Sequence, residues 1–103
     1  MALKLVKNPT FTTEAKINVP TDDGLIEQTV SARFRVMPPE DMELPLREFV
    51  GRALINVDGI IDEAGASIDW TPEIAARLLP LPYFALGLYR AYDFAMAGAK
   101  QGN

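Results

Sequence analysis

Ile60-Ile61-Asp62-Glu63-Ala64-Gly65-Ala66-Ser67-Ile68-Asp69-Trp70-Thr71-Pro72-Glu73-Ile74 is the stretch that decides the fold, and it runs into an apolar segment over residues 81–96. Two β-branched residues, an acidic turn with a glycine, a second extended stretch over residues 66–70 and a helix start follow one another with almost no spare residue. Asp and Gly suit the turn because Asp hydrogen-bonds its own backbone and Gly tolerates positive φ. Thr71 offers an N-cap acceptor, Pro72 at the first helical position has no amide to leave unpaired, and Glu73 suits the positive end of the helix dipole. A helix to about residue 79 follows. Pro80 and Pro82 break it, and a second helix is predicted from residue 81 or 82 to 97. Nothing in this stretch is chemically reactive, so it reads as architecture for holding a partner.

Upstream of it the pattern changes period. Phe11, Ala15, Ile17 and Val19 alternate with Thr12, Glu14, Lys16 and Asn18, the signature of a half-buried strand. Pro20-Thr21-Asp22-Asp23-Gly24 turns the chain. Ile26, Val30, Ala32, Phe34 and Val36 then alternate with Glu27, Thr29, Ser31, Arg33 and Arg35, giving a second strand. Two strands alone are marginal in water, so their apolar face must pack on helices or extend into a sheet. Pro38 and Pro39 end the ladder. Leu46, Phe49, Val50 and Ala53 recur at i, i+3, i+4 and i+7 and predict an amphipathic helix over about residues 44–53, with Pro45 in its first turn. Residues 54–61 are too β-branched to continue it and read as a strand or an extended segment kinked at Gly59. The fold class is α+β: a long N-terminal hairpin plus a short second β element, with three helices packed on the sheet. One domain spans residues 1–103, with 1–10 and 98–103 expected to be flexible.

Composition narrows the function. The 103 residues are 49 % hydrophobic and include no Cys and no His. A chain of this length buries roughly two-thirds of its unfolded surface in one core. Without Cys there is no thiolate nucleophile, and without His the commonest proton shuttle and metal ligand is missing, so an enzyme would have to work with carboxylates, Lys, Ser/Thr or Tyr. No enzyme is expected. Asp58, Asp62, Glu63 and Asp69 lack the alternating pattern and distal Glu of a calcium loop, and no Gly-rich phosphate cradle occurs; no metal or cofactor is expected. The formal charge is −4, and between Pro38 and Glu73 nine acids face two bases, Arg47 and Arg52. That balance argues against nucleic acid, and no run approaches the ~20 apolar residues of a membrane span. The acids read as solvated loop and helix-start residues, or as a face that steers a basic or amphipathic partner. Arg33 and Arg35 read as solvated, or as contacts to an acidic partner.

The last helix carries the densest apolar surface. Phe84, Leu88, Ala91 and Ala95 share one face with Leu81, Ala85 and Tyr92 beside it, while Tyr83, Leu86, Tyr89, Phe94 and Met96 extend the stripe nearly all the way round. Such a helix is either the centre of the core, with Tyr83, Tyr89 and Arg90 at its rim, or it exposes a binding stripe. Trp70 reads as a staple over the helix start or as an interface anchor. The candidate partner-binding set is Trp70, Leu81, Tyr83, Phe84, Leu88, Tyr89, Tyr92 and Met96.

Taken together, the Asp22-Asp23-Gly24 tip, the strand ending Ala32-Arg33-Phe34-Arg35, the acidic Pro-rich helix start, the Asp62-Glu63-Ala64-Gly65 turn, Trp70-Thr71-Pro72-Glu73 and the terminal helix with Ala91-Tyr92 resemble the small tail assembly chaperones of long-tailed bacteriophages and prophages. The resemblance covers about residues 11–97. It implies a non-catalytic protein, expected as a homo-oligomer in the host cytoplasm. Such a protein coats the long helical tape measure protein, helps recruit the major tail tube protein, and leaves before the virion is complete. The rival readings are a terminator or connector subunit that stays in the virion, and a small-ligand enzyme using carboxylates, which would need a concave pocket lined by at least two acids with raised pKa values.

Overall fold

A computed structural model describes residues 2–98. Strands β1 (Thr10–Thr21) and β2 (Gly24–Arg35) form an antiparallel hairpin, Thr10 opposite Arg35 and Thr21 opposite Gly24. Both reach further into the tip than the sequence pattern predicts, because Asp22 and Asp23 alone make the turn. Gly24 takes φ +107°, and the Thr21 hydroxyl donates to the Gly24 carbonyl at 2.7 Å while accepting from the Asp23 amide at 3.2 Å.

The alternation sorts the faces as expected on β1, where Ala15 and Ile17 are buried, and along most of β2, where Val30, Ala32 and Phe34 are buried. Two residues of the predicted second strand depart from it. Ile26 is exposed, since no element covers the tip, and Val36 is exposed while Met37 is buried instead. The strand ends at Arg35, so its period ends there too. Met37 turns inward and its amide donates to the Tyr92 hydroxyl at 2.9 Å.

After a 3-10 turn over Pro39–Asp41, α1 (Leu46–Ala53) starts two residues later than predicted, with Pro45 as its N-cap rather than in its first turn. Phe49, Val50 and Ala53 are buried on the face read from their spacing. The chain passes directly into β3 (Leu54–Asp58), which pairs antiparallel with β2 and completes a sheet of order β1-β2-β3. Arg33 opposes Asn56 and Phe34 opposes Leu54, so Ile55 is skipped. This bulge resets the side-chain phase. Leu54 and Val57, three apart, therefore both point into the core.

The deciding stretch contains less strand than expected. Residues 60–61 and 66–70, expected as two short extended segments, contribute one isolated bridge, Ile61 to Ser67. Gly59, at φ +101°, has already turned the chain off the sheet, and no neighbouring strand extends the ladder. The turn itself is as predicted. The Asp62 carboxylate accepts from the Ala64 and Ala66 amides, each at 2.9 Å, and Gly65 closes onto the Asp62 carbonyl at 3.0 Å.

Helix α2 (Pro72–Leu78) is capped by Thr71, whose hydroxyl accepts from the Ile74 amide at 3.2 Å, yet no residue in it is fully buried. Helix α3 (Pro82–Ala97) ends at Gly98, which takes the left-handed conformation that favours glycine. The tail expected beyond it, residues 99–103, lies outside the described residues. Gly87 of α3 meets Ile17 while Tyr92 meets Phe11, so α3 runs opposite to β1. The core lies between the apolar face of the sheet, α1 and α3. Tyr92 is at its centre, with ring centroids 4.9 Å from Phe49 and 5.4 Å from both Phe34 and Phe11.

Candidate interaction surface

The predicted binding set divides by depth. Phe84, Leu88 and Tyr92 are buried; they close the core and offer a partner nothing while the chain is folded. That is a correction to their reading as contact residues. Its cause is the narrow approach of α3 to β1, which turns this face wholly inward. Leu81, Tyr83 and Tyr89 are half-buried at the core margin, and Tyr89 sets its edge on the Phe49 ring at 5.5 Å and 77°. Trp70, also half-buried, stacks on Phe84 with centroids 6.2 Å apart and planes at 23°. Of the set only Met96, 44 % exposed, stands well into solvent.

What makes the approach of α3 narrow is Gly87. A Cβ there would lie 2.6 Å from the Ile17 Cδ1 and 2.8 Å from the Lys16 carbonyl oxygen, closer than non-bonded atoms tolerate. Because the helix crosses β1 at a residue without a side chain, an open groove of about 380 Å³ forms beside the crossing. Glu14, Lys16, Asn18 and Glu27 line it from the polar face of the hairpin, and Gly87, Arg90, Ala91 and Phe94 from α3. Two carboxylates, two cations and an apolar floor thus share one recess. Phe94 is 48 % exposed, and Leu86 on the same helix is also exposed.

The groove is not among the sequence expectations, and Phe94 stands there in the apolar stripe but outside the candidate set. A signal was present in Gly87, the one glycine inside a helix that also carries Ala85, Ala91, Ala95 and Ala97, since a missing side chain marks close backbone approach. What could not be read was the partner of that approach, because strand and helix are about 70 residues apart in the chain. The acidic excess is also partly used internally. Arg52 pairs with Glu48 at 2.8 Å and with Asp41 at 3.8 Å. Arg35, read as solvated, donates to the Arg52 carbonyl at 2.8 Å and so satisfies an acceptor at the end of α1, and Arg33 reaches the Thr10 hydroxyl at 3.1 Å.

Among the described residues no three acidic side chains are grouped so that they could hold a metal ion, and no helix is long and apolar enough to cross a membrane. Compared with protein-family models, curated proteins and solved structures, the chain matches none.

Proposed function

We propose that this chain is a non-catalytic phage tail assembly chaperone. It shields a tape measure protein in the host cytoplasm, helps bring tail tube subunits to it, and departs before the virion is complete. One observation supports the reading beyond the resemblance of residues 11–97: the outward side of α3 presents Leu86, Phe94 and Met96 to solvent, next to a recess flanked by charges of both signs. An amphipathic helix docks through apolar anchors at helical spacing. Lys16, Arg90, Glu14 and Glu27 around such anchors suit the charged flanks of that helix. The surface assigned to the partner is therefore Phe94, Met96 and the groove rather than the buried Phe84 and Tyr92.

Co-expression with a tape measure fragment tests the reading. Phe94→Asp combined with Met96→Asp should leave the fold intact and reduce co-purification by about tenfold or more, since burying each such side chain is worth about 1.5–3 kcal/mol. Unchanged capture by the folded double variant removes α3 as the binding surface. Detection of the chain in purified virions by mass spectrometry would replace the chaperone with a resident tail component.

A further inference from the structure

β2 is paired on both sides along only part of its length. β3 covers residues 31–34, and Gly59 passes against Thr29 and Val30 as it leads the chain away. Residues 24–29 are all exposed, and among the described residues no strand lies beside them on the side away from β1. Alternate residues there turn their N–H and C=O outward, which makes a template for a further strand.

The segment before β1 has the complementary character. Leu3 and Leu5 are 95 % and 94 % exposed, Val6 is exposed as well, and Lys4 and Lys7 are set among them. We propose that residues 3–7 of one copy add antiparallel to residues 24–28 of β2 in a second copy. One register pairs apolar with apolar and charge with charge, leaving only Leu3 opposite the polar Gln28. It sets Val6 opposite Leu25, Leu5 opposite Ile26, and Lys4 opposite Glu27, while Lys7 arrives at Gly24 beside Asp22 and Asp23. Leu3 and Leu5 then stand on the face that Ile26 shares with Val30 and continue the apolar layer over the uncovered tip. A slip of one residue in either direction sets Leu3 or Leu5 against Glu27, keeps a single apolar pair (Leu5 with Leu25, or Val6 with Ile26) and loses the charge pair.

The occupant is a second copy because the chain's own segment cannot reach. Thr10 pairs with Arg35, ten residues from Leu25, or about 33 Å along the strand. The four links from Val6 to Thr10 span at most about 14 Å.

Light scattering on the full chain across a concentration series tests the proposal, and wild type should self-associate. Leu5→Asp should weaken association by about tenfold or more with an unchanged circular dichroism spectrum, since Leu5 is almost wholly exposed within its own copy. Lys4→Glu and Glu27→Lys should each weaken it, and their combination should restore it. The chain has no cysteine, so Leu5→Cys in one preparation and Ile26→Cys in another should give a mixed disulfide dimer on oxidation. A wild type that stays monomeric, an association indifferent to Leu5→Asp, or a mixture that forms no cross-link overturns the proposal. None of these outcomes involves a phage protein, so the proposed function stands or falls separately.

Discussion

At its base the hairpin sets Phe11 opposite Phe34 and encloses them with Phe49 and Tyr92, whereas at its tip it sets Val19 opposite Ile26 and leaves Ile26 47 % exposed. Both ends obey the same alternation of apolar and polar residues. They differ in what lies over them. α1 and β3 reach only the base, and α3 covers β1 more than β2. Alternation in a strand therefore specifies which face is apolar, and the lengths of the neighbouring elements specify whether that face is dry. The base is a closed core; the tip is a surface waiting for cover.

Substitutions can break or sharpen that contrast. The largest effect belongs at the base. Phe34→Ala should cost about 3–5 kcal/mol, the range for removing a fully enclosed ring, read as a lowered midpoint in urea denaturation. Gly87→Ala comes next at about 1–3 kcal/mol, an overpacking cost. The Ile17 methyl can rotate away from the new Cβ, but the Lys16 carbonyl is backbone and must move with its strand; a thermal midpoint equal to wild type would show that the crossing is looser than the distances imply. At the tip, Ile26→Ala should change the stability of the dilute single copy by less than about 0.5 kcal/mol, as for surface sites generally. A cost there as large as at Phe34 would mean that the tip is already covered.

Much of this fold could be read from residues near one another in the chain. The Pro20–Gly24 segment places the hairpin turn, though not its two-residue register, Phe49, Val50 and Ala53 declare their shared face by spacing, and Thr71-Pro72 marks the start of α2. Each signal is local, so each survives without knowledge of the rest. The bulge that skips Ile55 was not legible, because it depends on which side of β2 the third strand joins. Nor was the exchange of Val36 for Met37, which Tyr92 enforces from 55 residues away. The binding set shows the same division. Apolar character around α3 was plain, but which of its sides turns inward depends on Gly87 finding β1. Of the two readings of this helix, Phe84, Leu88 and Tyr92 follow the core one, and Phe94 of the same apolar stripe stands at the groove.

From Gly59 to Leu81 the chain leaves the sheet and returns without placing a single residue fully inside. The excursion is fastened by the Ile61–Ser67 bridge, by the Asp62 and Thr71 side chains, and by Trp70 lying on Phe84. Releasing it would forfeit those fastenings, α2 and the packing of Ile60, Leu78 and Leu79 on the core margin while leaving the sheet, α1 and α3 assembled, so this segment is a latch expected to open before the core does. Trp70 is the chain's single tryptophan, and its fluorescence therefore reports the latch: the emission change on heating should precede the loss of helical ellipticity.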